Sequence, residues 1–170
     1  MQFAHLHVHT MYSLLDGASK ITELINKVKE AGMTSVAITD HGAMYGVVEF
    51  YKEAIAQGLH PVIGCEVYMA SGSRFDKTYD KESKYSHLIL LAENNKGYKN
   101  LIKLVTLGFT EGFYSKPRID FELLKEYSEG LIVLSACIAG EVPKALLNGS
   151  YEKAKEIAEK YLAVFGKDNY

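Results

Sequence analysis

The chain has 170 residues, enough for a sizeable core, and this length fits one domain better than two. Hydrophobic residues make up 48% and charged residues 24%, the balance of an ordinary globular protein, and the formal charge of -2 weakens the reading of a simple DNA-binding module while allowing a site whose positive charge comes from metal. No basic leader with an apolar core opens the chain and no apolar run could span a membrane, so a cytosolic location is expected; Cys65 and Cys137 are too few for a disulfide framework and read as reduced thiols, packed or metal-bound.

The first predicted element is a strand with the turn after it, together spanning Phe3 to Gly17. Its period of two places His5, His7 and His9 on one face and Ala4, Leu6 and Val8 on the other. Such a column of imidazoles, with Asp16 one turn further on, is a metal-binding pattern, although a single histidine is more often a satisfied polar group. Ser19 is the expected N-cap of a helix over Ile21 to Ala31 that ends at Gly32. A short buried strand, Ser35 to Thr39, then runs into Asp40-His41-Gly42. A second helix spans Val47 to Gln57 and closes at Gly58. The strand His60 to Met69 carries Glu66 within a sequence otherwise suited to burial, where an ionised carboxylate needs a partner or a metal.

Residues 71–84 read as an exposed, mobile loop. A fourth strand, Ser86 to Ala92, contains His87, and a helix follows over Gly97 to Leu107. The loop Gly112 to Asp120 offers Lys116 and Arg118 as candidate phosphate contacts, each alone more often a solvated loop residue. A short helix near Phe121 to Tyr127 precedes a fifth strand, Leu131 to Ala136, which ends at Cys137. Helices over Val142 to Leu147 and Tyr151 to Phe165 complete the chain, the second capped by Ser150.

This alternation predicts an α/β fold with a parallel sheet and helices outside it. In parallel barrels reacting groups collect at the C-terminal ends of strands, and His7, His9, Asp40, His41 and Cys137 fall there. Glu66 within its strand and His87 near the start of its own fit that rule less well. Imidazole, carboxylate and thiolate together suit Zn or Mn, in numbers that favour several ions with bridging oxygens, and such centres hydrolyse phosphoesters. Taken singly, Cys137 is more often a small buried hydrophobe, Asp16 a helix cap, and His60 and His87 satisfied groups; His5 and His60 are assigned no ligand role.

His7-Val8-His9, Thr39-Asp40-His41, Gly64-Cys65-Glu66, His87 and Cys137 resemble the successive metal motifs of the polymerase and histidinol phosphatase (PHP) domain family. The text from Tyr12 to Gly17, from Ile38 to Gly46, from Tyr114 to Asp120 and from Leu134 to Glu141 is more particular, and is similar to the PHP domains that open bacterial replicative DNA polymerase alpha subunits. This resemblance covers essentially the whole chain, residues 1–170. It implies a distorted (β/α)7 barrel, of which the chain holds roughly the first five βα units, and up to three Zn or Mn ions on His7, His9, Asp16, His41, Glu66, His87 and Cys137. It implies a metal-dependent 3'-5' exonuclease acting on a DNA 3' end, with His7, His9, Asp16, Asp40 and His41 as catalytic candidates. It also implies a bacterial cytoplasmic replicase with other subunits as partners and Mg at a polymerase site that these residues lack. Two other readings stand beside it, an inactive domain that only supports a polymerase and a free-standing phosphatase of the histidinol phosphate type. The family's late Asp-x-His pair does not occur after Cys137, so this segment alone is expected to be metal-poor, weakly active or inactive, and inclined to self-associate.

Overall fold

Period-2 and period-3.6 segments alternate along the chain, and in the computed structural model, which describes residues 3–14, 16–78 and 85–170, they form five strands and six helices. Their order is α1 (Ile21–Glu30), β1 (Ser35–Ile38), α2 (Val47–Ala56), β2 (His60–Met69), β3 (Ser86–Ala92), α3 (Asn95–Thr110), β4 (Arg118–Ile119), α4 (Phe121–Glu126), β5 (Leu131–Leu134), α5 (Glu141–Leu147) and α6 (Tyr151–Phe165). No helix among the described residues is long and apolar enough to cross a membrane. Ser71 to Thr78 form a largely exposed loop, and the rest of the loop expected to Lys84 falls outside the described residues.

Local chemistry sets the helix starts. Asn94 caps α3 by accepting from the backbone N–H groups of Lys96 and Gly97, so this helix begins before the expected Gly97 and runs on to Thr110. Asp120 caps α4 through Leu123 N, and Ser150 caps α6 through Lys153 N. Ser19 does not cap α1. The N-cap is Lys20 without a side-chain bond, and Ser19 instead lends its carbonyl to Met11 N, at 2.9 Å, which closes the turn after the histidines.

The sheet order is β1-β2-β3-β5, with β4 also on β2. β1 runs parallel to the first half of β2, from Ser35↔His60 to Ile38↔Ile63. Beyond the end of β1, residues 64–69 of β2 pair antiparallel with β3, and Tyr68 and Met69 pair parallel with β4. β5 is antiparallel to β3. The expected all-parallel sheet is therefore corrected: β3 turns back beside β2, an arrangement that needs no crossover helix. β4, read from the sequence as loop, is the other addition.

The first segment departs from a regular strand. The His5 carbonyl accepts from Ala37 N and the Val8 carbonyl from Thr39 N, so three steps along this segment span two along β1. One extra residue shifts the side-chain alternation by one face. His5 consequently lies exposed, edge-on to Phe3 with ring centroids 4.8 Å apart, and does not join His7 and His9.

Alternation along β2 sends Cys65, Val67 and Met69 into a core with Leu88 and Leu90 of β3, Leu101 and Leu104 of α3, Leu124 of α4 and Tyr161 of α6. A second core packs Ile21, Ile25 and Val28 of α1 and Phe50 of α2 on Val36 and Ile38 of β1. Glu66 and Tyr68 of β2, with His87 and Ile89 of β3, therefore share the opposite face.

Candidate metal centre

Glu66 lies at the middle of this face, with its side chain 1% exposed. The parallel bridge His41↔Glu66 continues the β1/β2 register past the end of β1, fixed by Glu66 N donating to the Asp40 carbonyl and Gly42 N to the Glu66 carbonyl. Gly42 makes that turn with φ +62, and a Cβ there would stand 2.6 Å from the Tyr68 ring. His87 arrives from β3. Because that strand is antiparallel, its start lies beside the C-terminal half of β2, which places His87 where a parallel strand would have carried it away.

Four imidazoles surround the one carboxylate. His7 Nε2 is 2.8 Å and His9 Nε2 3.8 Å from Oε2, while His41 Nδ1 is 2.6 Å and His87 Nδ1 2.8 Å from Oε1. The two groups His7, His9, Glu66 and His41, Glu66, His87 each bring three donor atoms within 4.8 Å of one another. His7 Nε2 and His9 Nε2 are 3.0 Å apart, and two imidazole nitrogens bound to one ion at ~2.0–2.1 Å lie roughly that far from each other. Glu66 Oε1, Glu66 Oε2 and His41 Nδ1 are buried, and their close contacts lie off the line of a hydrogen bond. Buried oxygens without aligned donors suit a cation, so this donor set fits the hard and borderline ions that carboxylate and imidazole bind.

The electrostatics agree with that fit. Burial pushes the Glu66 carboxyl up, but His7, His87 and His41 overcome this and hold it well below the usual carboxylate range, ionised at neutral pH. Burial, helped by His41, lowers His9 below the ordinary histidine value and favours the neutral ring that can ligate. Tyr68, beside His41 and His87, is pushed up to about 12 by burial and by Tyr85, and stays a neutral phenol.

The remaining candidates divide. Asp16 Oδ2 is 2.8 Å from His41 Nε2, and Cys137 Sγ is 3.8 Å from His87 Nδ1. Each adds one donor at the rim, and no third group of three appears among the described residues. Cys137 is exposed; Ala136 before it has φ 64, a left-handed conformation that costs a non-glycine residue about 1 kcal/mol or more and turns the chain so that Ala139 can accept from His87 N. Cys65, in contrast, is buried, its thiol near the Asp40 and Ala43 carbonyls and pushed up by burial, so it is a packing residue. Asp40 does not join the imidazoles. Its carboxylate accepts from Thr10 N, Thr10 Oγ1 and Ser13 Oγ at 2.6, 2.8 and 2.7 Å.

Arg118 also departs from the expectation. It is 3% exposed and donates to the carbonyls of Gly112, Arg74 and Asp76, so it fastens the loop and has no surface to offer a phosphate. Lys116 stays half-buried with Nζ 5.3 Å from the Tyr68 ring centre. It lines a cleft of about 390 Å³ together with Asp16, His41, His87, Tyr45, Tyr85 and Phe109. The sequence reading gave no role to Ser13, Thr10 or this aromatic wall. Ser13 and Thr10 had a signal only in their position between His9 and Asp16, and the wall had none, since its residues come from separate elements.

The chain matches the PHP domain family over residues 5–170. It is a PHP domain. DNA polymerase III subunit alpha of Borreliella burgdorferi is 52% identical over 170 residues, 99% of this chain. The same subunit of Treponema pallidum is 50% identical over 100% of this chain, and that of Thermus aquaticus 46% over 98%. The PHP chain spans 15%, 15% and 14% of these relatives' lengths. Among solved structures, an amidohydrolase from Chromobacterium violaceum aligns over 59% of this chain and 32% of its own at 22% identity and TM-score 0.41, too distant for any comparison of detail.

Proposed function

We propose that this PHP domain is part of a bacterial replicative DNA polymerase alpha subunit and hydrolyses phosphodiesters at DNA 3' ends, with Zn or Mn held by His7, His9 and Glu66 on one side and His41, Glu66 and His87 on the other. The observation that carries this reading is the buried Glu66 carboxylate, each oxygen facing its own imidazole pair without an aligned hydrogen bond. When bound, paired cations supply Lewis acidity and a water of lowered pKa. Glu66 belongs to both donor groups and would be shared between them. Asp16 and Cys137 add donors at the rim, and the late Asp-x-His pair of the family would come from chain beyond these residues. Asp40 positions the turn and takes no part in the chemistry.

Lys116 stands where it can hold a phosphate oxygen of the chain end, and Tyr45, Tyr85 and Phe109 offer faces on which a terminal base can stack. The domain works in the cytoplasm beside the polymerase active site, whose Mg and carboxylates lie elsewhere in the longer protein, and among the other replicase subunits. The test is an assay of the full-length protein on single-stranded DNA and on histidinol phosphate, with and without chelator. Chelator-sensitive release of nucleotides is expected. Its absence in metal-loaded protein overturns the exonuclease reading in favour of a supporting domain, and turnover of histidinol phosphate alone would point to the small-molecule phosphatase.

A further inference from the structure

Ser13 is 1% exposed and sits between the metal-facing histidines and Asp40. Its hydroxyl donates to Asp40 Oδ1 at 2.7 Å and accepts from His41 N at 3.1 Å, and His9 Nδ1 is 3.3 Å away. A hydroxyl has one hydrogen and two lone pairs. Asp40, as a carboxylate, can only accept, and the Thr10 donors at 2.6 and 2.8 Å hold it in place. The single Ser13 hydrogen is therefore committed to Asp40, and one lone pair is taken by His41 N. What remains for His9 is the second lone pair, so His9 Nδ1 has to be the donor. The proton of a neutral imidazole is then on Nδ1, and Nε2, the nitrogen that faces His7 Nε2 and Glu66 Oε2, is bare.

We propose that Ser13 is a positioning residue that, held by Asp40, fixes His9 in the Nδ1–H tautomer and so prepares Nε2 as a ligand before any ion arrives. The same hydroxyl anchors the backbone of His41, so one buried group sets a donor on each side of Glu66. Outer partners of this kind change metal affinity by about 10–100-fold when removed. The inference rests on the metal-binding reading above but not on the exonuclease activity. Its failure and that of the activity are distinguishable, because the tautomer is read in metal-free protein.

The test uses the chain labelled with 15N-histidine, with His9→Gln identifying the His9 resonances among the six histidines. Long-range 1H–15N correlation should show His9 as the Nδ1–H tautomer in the metal-free wild type at a pH where the ring is neutral. Ser13→Ala should mix the two tautomers and weaken Zn binding, titrated with the metal alone, by about 10-fold or more, and Ser13→Thr, which keeps a hydroxyl, should restore both. A wild-type His9 protonated on Nε2 overturns the proposal even if the alanine variant fails to fold. An unchanged tautomer in a folded Ser13→Ala protein overturns it as well.

Discussion

The two cations that the sequence offers as phosphate contacts, Lys116 and Arg118, are two apart in the chain and opposite in consequence. Lys116 reaches the cleft, so Lys116→Ala should raise KM for a DNA end about 10-fold, the worth of one charge-assisted bond, with kcat little changed. Arg118 is surrounded by backbone carbonyls that would be left without donors, so Arg118→Ala should lower stability by about 2–4 kcal/mol in urea titrations and leave KM near the wild-type value among molecules that remain folded. Equal effects of both changes on KM would contradict this division. Sequence could not make it, since a cation in a segment read as loop looks alike whether its donors meet water or carbonyls. At Glu66 the residue type was legible, because a carboxylate among apolar neighbours has to be compensated, but which oxygen faces which imidazole is a matter of register.

Among the elements, helices with strong apolar periodicity were legible to within a few residues, α1 and α6 most clearly, because their buried positions recur at helical spacing. Strand direction was not. Nothing local distinguishes β3 antiparallel from β3 parallel; its direction shows only in the pairing with β2. β4 escaped for the opposite reason: two residues carry no period, and the strand exists only because Tyr68 and Met69 offer an edge. The bulge in the first segment is likewise a property of its pairing with β1, which is why the histidine triplet became a pair. Where the loop after β2 is fastened, pH offers a test. Asp120 accepts from Arg74 N and Leu123 N and pairs with the Arg74 guanidinium, which in turn bonds Glu111. Burial pushes this carboxyl up, but the two backbone donors and the guanidinium outweigh it and leave its pKa lowered. A group lowered in the folded state contributes stability above its unfolded value, ~3.9 for Asp, and loses it as pH falls through the folded value. Urea midpoints measured from pH 6 downward should therefore fall in this acid range, and Asp120→Asn should flatten that part of the profile. An Asp120→Asn protein with the wild-type slope would show that the cluster is not linked to folding.

Across the whole molecule, three apolar clusters flank a site where the Glu66 oxygens and His41 Nδ1 are buried without aligned partners, and the proposed ions would complete it. Metal binding should consequently appear as stability. At a free ion concentration 100 times the dissociation constant the linkage is worth about 2.7 kcal/mol, and for a chain of this size that corresponds to a fall of about 5–10 °C in Tm on adding chelator. A Tm indifferent to chelator in protein shown to have been metal-loaded would count against coupling between site and fold. The α/β class was legible from the alternation of strand and helix patterns, and His7, His9, His41, Glu66 and His87 were legible as candidate ligands by residue type; the way one acid divides four imidazoles into two groups was not, since it depends on β2 running past the end of β1 and on β3 turning back.

The central claim is that Glu66 joins two ion sites into one centre, and electron paramagnetic resonance of the Mn-loaded protein tests it most directly. The account predicts the spectrum of a spin-coupled Mn pair in the wild type, and loss of the coupled signal together with a fall of about 100-fold or more in Mn affinity in Glu66→Gln. Only isolated, uncoupled Mn in the wild type, or a coupled pair that survives in Glu66→Gln, would contradict it.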